Sequence, residues 1–207
     1  MKASTQLLRV GPPPSAARAV LVLVHGRGGS AGDILGLVSE IGLEDLAYLA
    51  PQVPGNTWYP HSFLVPIEQN EPSLSASLAT LDDIVAELEA QKIRRERIGL
   101  LGFSQGGCLS LEFAARNAQR YAAVLALSAG LIGPPGTPRD YSGSFDGTPV
   151  FLGCSDVDPH IPVERVHESA AVFRRMGASV DERIYPAMGH TVNRDELAAV
   201  AAILGAI

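Results

Sequence analysis

A chain of 207 residues has the size of one domain, here taken as 1–207, and is long enough to bury a sizeable core. Its formal charge of −6, from 16 Lys and Arg against 22 Asp and Glu, argues against a nucleic-acid partner or an anionic membrane surface. Two cysteines, Cys108 and Cys154, give neither a disulfide framework nor a Cys-x-x-Cys zinc pair, Met1 to Val10 is too short and polar for a signal peptide, and no apolar run nears the roughly 18 residues of a membrane span, so the expectation is a soluble cytoplasmic protein without stable membrane insertion.

Apolar runs alternate with helical patterns along the chain. Ala19 to Val24 reads as a strand buried on both faces. The glycine-rich His25-Gly26-Arg27-Gly28-Gly29 separates it from a short helix expected over Ile34 to Ile41. Leu46 to Ala50 reads as a second strand, stopped by Pro51. The irregular segment Gln52 to Pro72 follows, carrying Trp58, Tyr59, Phe63 and Leu64. Ser73 to Lys92 is the clearest helix, because Leu74, Leu78, Leu81, Val85 and Leu88 build one apolar face. Ile98 to Phe103 reads as a strand that runs straight into a helix beginning at Gln105, with Leu109, Phe113 and Ala114 on its inner side.

Tyr121 to Leu127 reads as a strand, followed by the Pro/Gly-rich loop Gly130 to Gly147 and another strand at Val150 to Gly153. Pro162 to Met176 reads as a helix with Pro162 in its first turn, Val180 to Tyr185 as a strand, and Asn193 to Leu204 as a helix with Asn193 as N-cap. Strands alternating with helices imply an α/β fold, a mostly parallel sheet with helices on both faces. No repeat or second domain is visible.

The pentapeptide Gly102-Phe103-Ser104-Gln105-Gly106 lies where the third expected strand turns into a helix. A serine on that turn holds its hydroxyl above the sheet, and the flanking glycines keep Cβ atoms out of a tight bend. A serine hydroxyl needs a base to take its proton, a carboxylate to hold the base, and donors for an oxyanion. On a parallel sheet these groups come from loops at the carboxyl ends of strands. Asp158 lies just beyond the strand Val150 to Gly153, and His190 just beyond Val180 to Tyr185. The order Ser104, Asp158, His190 is the order such an elbow requires. Asp156 is the rival acid, or a residue that fixes the loop through backbone N–H groups. His160 follows the acid too closely to serve as the base, and His167 sits within a helix. Asp156, Asp158 and His160 are a weaker match to a metal site than to this arrangement, so no metal is expected. The oxyanion donors expected are the backbone N–H groups of Gln105 and of Arg27 in the first glycine-rich loop. That loop lacks the Lys-Ser/Thr closure of a phosphate cradle. His25 is expected to bond within it, and both cysteines to be packing residues.

These pieces, with Ser155-Asp156-Val157-Asp158-Pro159-His160-Ile161-Pro162 and Gly189-His190, resemble an α/β-hydrolase of the phospholipase/carboxylesterase family, which includes the acyl-protein thioesterases. The resemblance spans nearly the whole chain. It implies the α/β-hydrolase sheet, no cofactor, hydrolysis of carboxylic esters or thioesters, and Asp158, the aspartate directly before proline, as the acid. Cys154-Ser155 stands where family members often carry His-Gly, and Arg27 where they often carry an apolar residue. Arg27 weighs against long apolar acyl chains, and its side chain is a candidate contact for a substrate carboxylate.

A chain of this length leaves no room for a large cap domain. Gln52 to Pro72 is therefore the expected cover, with Trp58, Tyr59, Phe63 and Leu64 as candidate pocket residues, unless they merely pin the loop. The expected substrates are small to medium acyl or aryl esters, with thioesters as the neighbouring class. The alternatives are an acyltransferase or perhydrolase using the same three residues, and a non-catalytic binding protein, whose signature would be the loss of one of them. An exposed apolar helix would support a homodimer.

Overall fold

The computed structural model describes residues 6–207. Residues 1–5, half of the N-terminal stretch read as too polar for a signal peptide, lie outside the described residues. Seven strands, β1 (Gln6–Val10), β2 (Val20–Val24), β3 (Ala47–Gln52), β4 (Ile98–Phe103), β5 (Val124–Leu127), β6 (Pro149–Ser155) and β7 (Ser179–Tyr185), form one sheet in the order β1-β3-β2-β4-β5-β6-β7. β1 runs antiparallel to β3, and every other pairing is parallel. The helices are α1 (Ala31–Leu35), α2 (Leu37–Ile41), α3 (Ser73–Ala90), α4 (Gln105–Arg116), α5 (Val163–Arg175) and α6 (Arg194–Gly205).

Side-chain alternation divides the interior into two layers. Val20, Val22 and Val24 of β2, Ile98 and Leu100 of β4, and Val124 and Ala126 of β5 pack beneath α3, α4 and α5. Leu21, Leu23, Leu101, Leu125 and Leu127 point the other way, toward α1, α2 and α6. Strands apolar on both faces are thus what a parallel sheet covered on both sides requires. The carboxyl ends of β2, β4, β6 and β7 then open onto one edge of the sheet, where the site lies.

Several expectations change in detail. β1 was not anticipated: it is a half-exposed edge strand with no polar alternation to mark it. β3 continues through Pro51 to Gln52. Its register with β2 ends at Val22 opposite Leu49, so beyond that point it is paired on one side and tolerates a residue without an N–H. The helix expected over Ile34 to Ile41 is two helices meeting at Gly36, the first started by a capping box between Ser30 and Asp33. Of the run Tyr121 to Leu127, only the last four residues pair as β5. The Tyr121 N–H is instead taken by the Thr148 hydroxyl. Pro162 caps α5 rather than lying within its first turn.

Asn193 caps α6 as expected. Its side chain accepts from the Glu196 N–H, and the Glu196 carboxylate accepts from the Asn193 N–H at 2.8 Å. The Glu196 side chain is buried, and its Oε1 has no hydrogen-bond partner among the described residues. That oxygen lies so close to Gly153 that a Cβ there would meet it at 2.3 Å. Burial raises the Glu196 pKa to about 7, above its ordinary value of 4.5. The folded protein therefore holds a proton that the unfolded chain releases between those pH values. This contribution to stability is fully present below pH 4.5 and is lost as the pH rises through 7. Glu196→Gln keeps the cap acceptor without the charge. Denaturant midpoints at pH 5 and pH 8 should show it matching wild type at the lower pH and exceeding it at the higher. Equal midpoints at pH 8 would contradict the assignment.

Candidate active site

Ser104 stands at the junction of β4 and α4 with φ 53° and ψ −122°, a conformation that L residues rarely adopt. The neighbouring glycines are needed for contact. A Cβ on Gly102 would lie 2.4 Å from the Gly106 carbonyl oxygen, and one on Gly106 would lie 2.1 Å from the Val24 carbonyl oxygen. The Ser104 N–H donates to Leu127 O at 2.9 Å, which anchors the turn to β5.

The Ser104 hydroxyl lies 2.9 Å from His190 Nε2, and His190 Nδ1 lies 2.7 Å from Asp158 Oδ2. The Asp158 side chain is fully buried. Its second oxygen accepts from the His160 and Ile161 N–H groups at 2.8 and 3.0 Å. Burial pushes this carboxyl up, but His190 and the two backbone donors outweigh it and hold the group below its ordinary range. An ionised carboxylate can only accept, so Nδ1 carries the imidazole proton and Nε2 faces Ser104 as an acceptor. The structure thus brings Ser104, His190 and Asp158 into one hydrogen-bonded line. The Phe103 ring packs 5.0 Å from the His190 ring, and the His160 ring meets it edge-on at 4.8 Å.

Asp156, the rival acid, is occupied elsewhere: Oδ1 accepts from the Ala187 N–H at 2.8 Å. Ser155 Oγ accepts from the Gly189 N–H at 3.0 Å, and the Ser128 hydroxyl reaches Thr191 O at 3.3 Å. These contacts fix the loop that carries His190, in which Ala187 and Gly189 both have positive φ. Ser155 and Ser128 carried no signal in the sequence, because a serine bonding backbone has no diagnostic spacing. His167 lies on α5 with Glu182 as partner. His25 is buried beside Trp58 and bonds Gly26 O through Nδ1, and burial lowers its pKa. Cys108 and Cys154 are both buried, and burial raises each thiol to about 12. No group of three or more His, Cys, Asp or Glu side chains is placed to hold a metal among the described residues. No helix among them is long and apolar enough to cross a membrane.

Arg27 and Gln105 line one cleft with Ser104, and neither backbone N–H donates a hydrogen bond among the described residues. Gln105 opens α4, so its N–H belongs to the unpaired first turn. Its side chain does something the motif did not announce. Oε1 accepts from the Trp58 N–H at 2.9 Å and from Thr57 Oγ1 at 3.2 Å, and Nε2 donates to Tyr59 O at 2.8 Å. Trp58 Nε1 donates to His25 O, and Ser77 Oγ to Trp58 O. The segment Gln52 to Pro72 is therefore fastened at Thr57, Trp58 and Tyr59.

Of the four candidate pocket residues, Tyr59 and Phe63 line a cleft of about 250 Å³ together with Ser62, Ser104, Gln105, Cys108, His160, Ile161, His190 and Arg27. Trp58 and Leu64 do not line it. Trp58 is buried beneath the loop, and Leu64 packs against the core. Arg27 and His190 also border a second cleft, between α1 and the loop after β7, whose walls include Asp33, Ile34, Leu37, Phe103 and Val192.

Residues 6–206 match the family model described as Phospholipase/Carboxylesterase. The chain is 37% identical over 112 residues to an acyl-protein thioesterase 1 of Gibberella zeae, a match spanning 53% of this chain and about half (47%) of that relative's length. It is 25% identical over 222 residues to the acyl-protein thioesterase 1 of Saccharomyces cerevisiae, spanning 95% and 96%. A crystal structure of a phospholipase/carboxylesterase from Dyadobacter fermentans superposes with a TM-score of 0.93 at 44% identity, covering 97% of each chain.

Truncating Gln105 to Ala leaves the Trp58 N–H without a partner, while the Tyr59 carbonyl keeps only the Thr57 hydroxyl. At about 1–3 kcal/mol for a stranded buried donor, a loss of about 1–3 kcal/mol is expected. Denaturant unfolding followed by Trp58 fluorescence measures it, and an unchanged midpoint would show that the loop is held by something else.

Proposed function

The chain belongs to the phospholipase/carboxylesterase family of hydrolases and has the α/β-hydrolase fold, and on that premise we propose that it cleaves small to medium acyl or aryl esters, and thioesters of the same reach, through an acyl-enzyme on Ser104. One observation carries the reading: the continuous line from Ser104 Oγ through His190 to the buried Asp158 carboxylate, at 2.9 and 2.7 Å.

In this mechanism Ser104 Oγ attacks the acyl carbon while His190 Nε2 takes its proton. Asp158 accepts from Nδ1–H and stabilises the imidazolium that forms. The carbonyl oxygen, now negative, receives the Arg27 and Gln105 N–H groups, and donors fixed before the reaction cost no reorganisation. The C–O bond to the leaving group (C–S in a thioester) breaks, and His190 returns the proton to the departing alcohol or thiol. Water then gives a proton to His190 and attacks the acyl carbon. The Ser104 ester bond breaks as His190 returns that proton to Ser104 Oγ, and the carboxylic acid leaves. No cofactor enters any step.

A rate panel of p-nitrophenyl esters of increasing acyl length tests this with wild type and Ser104→Ala side by side. Wild type is expected to turn over the short and medium esters, and the variant to show the uncatalysed rate. Full activity in a folded Ser104→Ala protein would sink the proposal. Asp158→Asn, which cannot accept from Nδ1–H in the same way, should lower kcat by on the order of 10³–10⁴-fold with its circular dichroism unchanged. A loss below tenfold would remove Asp158 from the mechanism.

A further inference from the structure

Arg27 is exposed and is fixed by three neutral acceptors. Nη1 donates to Thr57 Oγ1 at 3.1 Å and to Pro60 O at 2.8 Å, and Nη2 donates to His61 O at 2.6 Å. Its guanidinium also lies over the Tyr59 ring, 5.9 Å from the centroid. A guanidinium has five N–H donors, so two remain, on the adjacent nitrogens Nε and Nη2. A neighbouring pair of this kind is what a carboxylate takes with both oxygens. Among the described residues no carboxylate pairs with Arg27, so its charge is uncompensated. The protein as a whole is acidic, with a net charge of −6, which makes a fixed, unpaired cation beside the nucleophile informative.

The two clefts at Arg27 differ in a way that directs a ligand. Ser104 lines the first, so the acyl group bonded to its oxygen occupies that side. The second cleft is bordered by His190, Thr191 and Val192 but not by Ser104, and it suits the leaving group that His190 protonates. Asp33 stands in the wall of the second cleft, held ionised by hydrogen bonds from Ser30, and repels an anion there. The first cleft has no carboxylate in its lining and carries the polar Ser62 and His160 beside Tyr59 and Phe63. At about 250 Å³ it falls below the ~300–1,000 Å³ of pockets for drug-sized ligands, which suits a short arm.

We infer that Arg27 forms an anion subsite that selects esters whose short acyl arm ends in a carboxylate, that is, monoesters of dicarboxylic acids. This rests on the esterase reading above and specifies its substrate class. Hydrolysis follows the same bond changes: the alcohol leaves with the proton from His190, and water releases the dicarboxylic acid from Ser104. Arg27 needs no ordering on binding because Thr57, Pro60 and His61 already hold it, so the contact appears in KM and in kcat/KM rather than as a slow closure.

The test compares monoethyl glutarate with ethyl 5-methylhexanoate, which has the same shape without the charge, in a pH-stat at low and high salt. Wild type is expected to prefer the glutarate ester, with the preference shrinking as salt is raised. Arg27→Met also loosens the loop, so the readout is the ratio of kcat/KM for the two esters, in which a general loss cancels. That ratio should fall about tenfold or more, chiefly through KM, and Arg27→Lys should restore part of it. Free glutarate should inhibit wild-type hydrolysis of the neutral ester competitively, a measurement that needs no variant to fold. An equal loss on both esters in Arg27→Met, or no inhibition by glutarate, overturns the anion subsite and leaves the esterase standing. Turnover of neither ester by wild type, with no rate on the p-nitrophenyl panel, overturns the esterase reading itself.

Discussion

The site depends on how closely the start of α4 approaches the end of β2. The Gly106 Cα sits against the carbonyls of Val24 and His25, where a Cβ would lie 2.1 and 2.4 Å from their oxygens. That contact brings the glycine-rich loop after β2 alongside the turn after β4, so Arg27 and Gln105 line the same cleft as Ser104. It also holds Ser104 in a backbone conformation that costs about 1–3 kcal/mol. The cost is borne by the surroundings: β2 and the first five residues of β4 are buried throughout, and α4 buries eleven of its twelve residues.

A second layer of order comes from two side chains that the motif reading treated as backbone donors. Gln105 and Arg27 both reach across to residues 57–61 and bond the chain there through carbonyls, an amide and a hydroxyl. The wall of the cleft is thereby tied to the loops that would carry the oxyanion donors. A change in the wall is felt at the donors, and the reverse. The buried Asp158 carboxylate and the bonds from Asp156 and Ser155 to the loop after β7 do the same for His190.

Much of this was legible in the residues. The apolar runs of β2, β4, β5 and β6 mark a parallel sheet because both faces are covered, and the elbow, the loop aspartates and His190 follow from strand ends. The edge strand β1 was not legible, because a half-exposed strand on one antiparallel partner need show neither a continuous apolar run nor alternation. Pro51 was misleading: its effect depends on whether the facing strand reaches that far, which is a property of register. The break at Gly36 is a local cost that sequence periodicity does not weigh. Among the pocket candidates, Tyr59 and Phe63 line the cleft while Trp58 and Leu64 serve packing. Aromatic content alone cannot separate those roles, since both favour large apolar side chains in the same loop. The fastening roles of Gln105 and Arg27 join residues 30 to 48 positions apart, a range at which spacing carries no signal.

The central claim is that Ser104 is made nucleophilic by its line to His190 and Asp158. The most direct measurement is reaction with a fluorophosphonate followed by peptide mass spectrometry, on wild type and His190→Ala. The account predicts one label per chain, on Ser104, in wild type, and labelling slowed to near the rate of an ordinary serine when His190 is removed. Labelling elsewhere in wild type, or an undiminished rate on Ser104 without His190, would contradict it.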